Sequence, residues 1–486
     1  MAAKEVTRRR FLKGLATAAG GTVLAACAPA ATPTPQIVEK VVKETVVVQG
    51  TPQVIEKPVT APPPTKTAPT EVRVSHWWPQ NWHSRWFPIV EREANVKIKE
   101  EIYPFGEYKT KLLTQVASGT APDVIQLDQG HNGDFFPRNV LVPFDDALAK
   151  EGVDMKKWNV DPKIEVGYKG KILGMPLFMM QAKMVWINVD LAEKAGFSAK
   201  DLPVWGTPKF DTWTWSDFVE FLKKVTIRKS DGTYEQYGIS SAQIGAWFLG
   251  FHLASYGQNF LDNVQYAETK GLLDTPEAIS AAKDGIELTT VHKVAPTLEA
   301  QQGVEGGLFR AGKAVAEMGW AQTILIDAKL PFRLEMIHLP FVKYRVNAIG
   351  PNHFCVNKAS KVVEAAQRMS IFHATSHDVG LEFLRETGNF SAYDTAWYLP
   401  YVPEGPAGTL ARINLARRPG MSECAYCTKD IFWFDRAGYG RLGSFVPTTI
   451  QAEMEKALLG QKTVEQAMKD ANKAINEEIS KLKPAE

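Results

Sequence analysis

Apolar and polar positions alternate along Val72-Arg73-Val74-Ser75-His76-Trp77 and again along Val96-Lys97-Ile98-Lys99-Glu100-Glu101-Ile102, a period of two that predicts strands. Between and after these runs, the stretches from Trp86 to Ala94 and from Phe105 to Ser118 carry apolar residues at helical spacing, and Gly119-Thr120-Ala121-Pro122 breaks the second helix. Asp123-Val124-Ile125-Gln126-Leu127 follows as a short buried strand, running directly into Asp128-Gln129-Gly130. Near the end of the chain, Ile450 to Leu459 and Val464 to Leu482 read as helices. Strands alternating with helices predict an α/β fold with parallel β structure covered on both faces. In such sheets ligands settle beyond the carboxyl ends of the strands, where Trp77-Trp78 and Asp128-Gln129 stand. The more than four hundred residues from Glu71 onward exceed a single average core, so two lobes are expected.

The first seventy residues have another character. Arg8-Arg9-Arg10-Phe11-Leu12-Lys13 precedes an uncharged stretch from Gly14 to Ala26, too short and too weakly apolar to stay in a bilayer. It reads as an export signal over residues 1–26 and resembles the twin-arginine signal, with Thr7 where that pattern most often has Ser. Leu24-Ala25-Ala26-Cys27 resembles the bacterial lipobox, which implies a lipidated Cys27 holding the mature chain on the outer face of the cytoplasmic membrane. Residues 27–70 are rich in Pro, Thr, Val, Lys and Glu, with Pro62-Pro63-Pro64 near the end, and predict an extended tether. Val41-Val42 and Val46-Val47-Val48 leave a paired strand as the alternative.

Net charge is +2 with no basic stripe in the globular part, which argues against a nucleic-acid partner. Of the four cysteines, Cys424 and Cys427 form a C-x-x-C pair in a chain that leaves the cytoplasm, consistent with a local disulfide or two idle thiols; no thioredoxin-like βαβ pattern surrounds them. Gly438-Tyr439-Gly440-Arg441-Leu442-Gly443 spells G-x-G-x-x-G, but Pro447 and a polar run follow it where a dinucleotide site needs a βαβ unit. His373 and His377, four apart, lack an H-E-x-x-H context and a third ligand, and read as a solvated helix face. Asp145-Asp146 lies in a segment, Val142-Pro143-Phe144-Asp145, that resembles a helix cap, and no G-x-S-x-G is present. No catalytic residue, cofactor or metal is implied.

Tyr108-Lys109-Thr110-Lys111-Leu112-Leu113 followed by Ala117-Ser118-Gly119-Thr120-Ala121-Pro122-Asp123-Val124 resembles the extracellular solute-binding proteins of family 1. Further blocks appear in the family's order: Tyr168-Lys169-Gly170-Lys171-Ile172-Leu173-Gly174-Met175-Pro176, Trp186-Ile187-Asn188-Val189-Asp190-Leu191, Trp213-Thr214-Trp215-Ser216-Asp217-Phe218 and Phe309-Arg310-Ala311-Gly312-Lys313-Ala314 with Met318-Gly319-Trp320. The resemblance implies a two-lobed periplasmic-binding-protein fold of type II, monomeric, whose chain crosses between lobes several times and which delivers a sugar to the permease of an ABC transporter. By similarity, residues 71–182 form lobe I, 183–347 lobe II, 348–393 a return to lobe I and 394–486 helices on lobe II, with the last crossing near Gly388 to Thr395.

A sugar presents apolar faces and a girdle of hydroxyls, so its site needs aromatic platforms with fixed donors and acceptors. Trp77 and Trp78 follow the first strand, and Asp128 and Gln129 follow the third. Trp320 occupies the position that resembles the family's stacking tryptophan, with Gln322 two residues on. Gln181 falls at the predicted first crossing with Met179 one alternation away, Trp247 would close the opposite wall, and Asn352 sits at the return crossing. Alternatives left open are a polyamine, phosphate ester or peptide cargo, and an anchored glycoside hydrolase, which would need two facing carboxylates.

Overall fold

The computed structural model describes residues 39–48, 51–60, 68–402, 431–433 and 440–482, apart from 79–82, 159–160, 181–182, 205–206, 208, 210–211, 263–265, 305–306, 321–329, 348–349, 388 and 390. Cys27, Gln181, Gln322, Cys424 and Cys427 lie outside the described residues. The chain divides into two units, residues 1–68 and 69–486. In the first, where an extended tether was expected, Glu39–Val48 pairs antiparallel with Thr51–Thr60 as a hairpin. The valine runs thus follow the strand alternative, as β-branched residues favour.

The second unit opens with β1 (Thr70–His76), α1 (Phe87–Ala94), β2 (Val96–Ile102), α2 (Phe105–Ser118), β3 (Val124–Leu127), α3 (Gln129–Phe135), β4 (Leu141–Val142) and β5 (Met175–Met180). It continues with β6 (Lys183–Asn188), α4 (Trp215–Val225), β7 (Tyr234–Ile239), α5 (Ala246–Ser255), α6 (Pro276–Thr290), β8 (Ala314–Trp320) and β9 (Leu334–His338). Then come β10 (Gly350–Asn357), α7 (Val363–Thr375), α8 (His377–Thr387), α9 (Phe445–Leu458) and α10 (Val464–Ile479).

Local chemistry explains the boundaries. Gly119 ends α2 at φ 70, donating its N–H back to the carbonyls of Gln115 and Val116, a left-handed cap that costs glycine nothing. Thr214 caps α4 through a reciprocal pair with Asp217, and the helix buries Phe218, Val219, Phe221, Leu222 and Val225 along one face. Burial of side chains of this size contributes about 1.5–3 kcal/mol each.

Two sheets result. The first runs β2-β1-β3-β10-β4, with β5 also on β10; the second runs Ile227–Arg228, β7, β8, β6, β9. One apolar core gathers Val72, Val74, Trp86, Phe87, Phe354 and Met369 around the first sheet. Another gathers Ile187, Phe218, Phe251, Ile286, Ile337 and Ile475, with α9 and α10, around the second. The polypeptide passes from the first sheet to the second between β5 and β6, and returns to the first between β9 and β10. One expected boundary moves. Thr395–Tyr401 is a 3-10 helix whose Tyr398 is buried against Leu384 of α8, so the chain remains with the first sheet's helices through residue 402, past Gly388 to Thr395. Among the described residues no helix is long and apolar enough to cross a membrane.

Candidate functional site

Strand direction places the site. In the first sheet β1 and β3 are parallel, so both deliver their carboxyl ends, Trp77 and Asp128, to one edge. β10 runs against β3 with His353 opposite Leu127, and β5 runs against β10 with Met180 opposite Gly350, so Gly350 to His353 and Met179-Met180 share that edge. In the second sheet β7 is parallel to β8. β6 is antiparallel to both β8 and β9, with Lys183 opposite Trp320 and Met184 opposite His338. The carboxyl ends of β7, β8 and β9 therefore also share one edge, which holds Ser240 to Gln243, Met318 to Trp320 and His338 to Pro340. Met180 and Lys183 are three residues apart, at most about 11 Å of chain. The two carboxyl edges consequently meet at the crossing, the position where open α/β sheets take ligands.

On the first edge Trp77 is half-buried, set edge-on against Tyr108 at 5.0 Å and Phe105 at 5.4 Å between ring centroids. Tyr108 is fully buried beneath it. Its hydroxyl donates to the Ser75 carbonyl (2.9 Å) and accepts from the Gln126 N–H (3.1 Å), tying β1 to β3 just below their ends. Burial pushes the phenol far above its ordinary value. Trp78 takes the opposite course. Only 5 % exposed, it stacks on His83 at 5.1 Å and packs against Phe178 at 4.9 Å, so it belongs to the core and not to the ligand surface.

Asp128 caps α3, accepting from the His131 N–H at 3.2 Å while the His131 ring lies 2.6 Å from the same carboxylate oxygen. Burial opposes its ionisation, yet His131 and the more distant His353 hold the carboxyl below its ordinary value. Gln129 is the first residue of α3. Asn352 is buried, and its amide oxygen has no hydrogen-bond partner among the described residues. Met179 and Trp320 hold register positions opposite Pro351 and Lys183. Trp247, in the first turn of α5, is partly buried against the second core.

The second edge carries a feature that no sequence motif announced. Trp215, Phe248, Met318, Leu339 and Val346 line a cavity of about 20 Å³, with Gln243 and His252 supplying its polar atoms. Gln243 donates to the Ser241 carbonyl and hydroxyl, both at 2.9 Å. Behind the wall, Asp284 lies 2.6 Å from His252 Nε2 and accepts from the Tyr256 hydroxyl at 2.7 Å, which fixes the imidazole. Trp215 and Phe248 come from the starts of different helices, so spacing along the chain cannot reveal them as neighbours.

The motifs set aside for other chemistry have structural places. His373 is not on a solvated face: it is buried between Phe354 and Phe87, and burial pushes its pKa down to about 3. His377 begins the next helix, 3.1 Å from Asp394 and stacked on Trp397 at 4.2 Å. The break at Ser376 thus separates the two imidazoles. Asp145 accepts from the Ile172 N–H at 3.0 Å. Among the described residues no group of three or more His, Cys, Asp or Glu could hold a metal ion.

A family profile described as bacterial extracellular solute-binding protein matches residues 71–370. Among solved structures, an ABC substrate-binding protein from Listeria monocytogenes in complex with cycloalternan superposes with a TM-score of 0.71 at 21% identity, covering 85% of this chain and 99% of its own. A cyclic α-maltosyl-1,6-maltose binding protein from Arthrobacter globiformis gives 0.62 at 20% identity, covering 85% and 99%. A maltose-bound protein from T. maritima gives 0.63 at 21% identity, covering 84% and 99%. These similarities establish the fold as that of two-lobed α/β binding proteins. With the profile spanning well over half its length, the chain belongs to the bacterial extracellular solute-binding protein family.

Proposed function

We propose that this protein captures a carbohydrate between its two lobes and passes it to the permease of an ABC importer, acting as a receptor and not as an enzyme. The observation that carries the reading is that the two carboxyl edges are joined by the short step from Met180 to Lys183, with half-buried Trp77 on one and Met318 to Trp320 on the other. Indole faces suit the apolar faces of a sugar ring, while Asp128, Gln243 and Asn352 offer acceptors for its hydroxyls. Structural relatives bound to cycloalternan, maltose and mannotriose support the same ligand class. Isothermal titration against maltotriose, mannotriose and cycloalternan, alongside spermidine, glucose 6-phosphate and short peptides, tests the proposal. Saturable one-to-one binding of a sugar is expected; binding confined to the other solutes would refute it.

The same reading places the chain outside the cytoplasm, exported by the twin-arginine route and anchored through lipid on Cys27, as the lipobox-like Leu24-Ala25-Ala26-Cys27 supports. Growth with labelled palmitate should label the wild type and leave Cys27→Ala unlabelled and released from membranes.

A further inference from the structure

The glycine-rich run that fails as a nucleotide loop has a use in this fold. Gly440-Arg441-Leu442 forms a 3-10 turn leading into α9, and Leu442 and Val446 belong to the second core. Facing it is α3 of the first sheet, whose Phe135 packs with Ile125 and Leu127. The approach is backbone to backbone. A Cβ on Gly133 would stand 2.2 Å from the Gly440 carbonyl oxygen and 2.9 Å from the Gly443 nitrogen, closer than real Cβ contacts come. Asp134 accepts from the Ser444 N–H at 3.3 Å, and Gly440 and Gly443 adopt φ values of +53 and +50 that glycine takes readily.

Two supports hold the turn in place. Glu268, buried, accepts from the Arg441 N–H at 2.8 Å and lies 3.3 Å from Arg441 Nε. Tyr266, two residues earlier, packs with Tyr168 at 5.4 Å and Phe136 at 6.3 Å, reaching the first sheet's side from a segment that adjoins the second core. The contact begins little more than one helical turn beyond Asp128 at the cleft edge.

We infer that Gly133-Asp134 and Gly440–Ser444 form a lock between the lobes that shuts the cleft beside Asp128 and so determines how far a bound solute can extend on that side. The inference rests on the two-lobed binding reading above. Because the lock is made from the chain's own main-chain atoms, it favours the closed arrangement whichever solute is bound. The three atoms nearest a Cβ at position 133 all belong to the facing Gly440–Gly443 turn. Solute affinity falls in proportion to the closed fraction that is lost.

Gly133→Val and Asp134→Ala, made in the full globular chain, test this by small-angle scattering without solute. The result expected is a larger radius of gyration than wild type for Gly133→Val and a smaller increase in the same direction for Asp134→Ala, with far-UV circular dichroism unchanged. Scattering curves that superpose on wild type for both variants would overturn the lock. Should Gly133→Val fail to fold, Asp134→Ala alone decides the matter by the same criterion. Titration with maltose through maltohexaose then reads the cleft end: wild type should lose affinity at least tenfold beyond a limiting length, and the variants should lose that limit. A wild type that binds every length equally would overturn the sealing role. If no sugar binds while the scattering responds, the carbohydrate reading fails and the lock stands; if sugars bind and the scattering does not respond, the reverse holds.

Discussion

Replacing Tyr108 by Phe removes one oxygen from the interior and leaves every ring contact in place. The hydroxyl is within 3.0 Å of Ser75 Oγ, donates to the Ser75 carbonyl and accepts the Gln126 N–H, and both neighbouring residues are fully buried. Without it the Gln126 N–H loses its acceptor at a depth water does not reach. A buried polar group left unpaired costs about 1–3 kcal/mol, and the lost hydrogen bond to the Ser75 carbonyl adds about 1 kcal/mol, so the substitution should cost about 2–4 kcal/mol. Ser75→Ala makes a matched control: it deletes one partner while the hydroxyl keeps the other two, for about 1 kcal/mol. Urea unfolding of both variants, followed by tryptophan fluorescence, gives the comparison. Trp77 rests on the aromatic ring, which Phe retains, so sugar affinity should be unchanged. A Tyr108→Phe protein within about 0.5 kcal/mol of wild type would refute the claim that this hydroxyl ties the two strand ends together.

Other outcomes follow from the same geometry. Trp77→Ala should weaken sugar binding at least tenfold, about 1.4 kcal/mol, and cost less stability than Trp78→Ala, which should lose about 3–5 kcal/mol through the cavity it leaves and keep sugar affinity; titration and urea unfolding of the pair separate the two roles. Glu268→Ala removes the buried carboxylate that faces Arg441 and should destabilise by about 3 kcal/mol, a value under about 1 kcal/mol counting against the buried pair. Burial pushes His353 down to about 4 and His373 down to about 3, so both are neutral when folded and take up protons on unfolding below their ordinary value of 6.5. Their contribution is therefore fully present above pH 6.5 and is lost as pH falls from there through about 4 and about 3, at about 1.4 kcal/mol per pH unit for each. Urea midpoints between pH 7 and pH 4.5 should show a shallower slope in His373→Leu than in wild type, and equal slopes would contradict the assignment.

Much of the first lobe could be read from periodicity alone, because β1, α1, β2, α2 and β3 each complete their burial locally and so leave a clean period of two or of 3.6. Position relative to strand ends was readable for the same reason, which is how Trp77 and Asp128 came to notice. The division of labour between Trp77 and Trp78 depends on the packing of Trp78 against Phe178 and Phe383, contacts made by β5 and α8 from far along the chain. His373 and His377 share a helical spacing, but Ser376 ends the helix between them, a break the flanking residues do not signal. The Trp215–Phe248 wall and the Gly133–Gly440 contact join segments tens to hundreds of residues apart. Such partners are chosen by tertiary packing, and no local pattern encodes them.

A crystal structure of the protein with its tightest-binding sugar tests the central claim most directly. The account predicts the sugar at the meeting of the two carboxyl edges, stacked on Trp77 from one lobe and touching Met318 to Trp320 from the other. A sugar held by one lobe only, or bound away from residues 127–129 and 318–320, would contradict it.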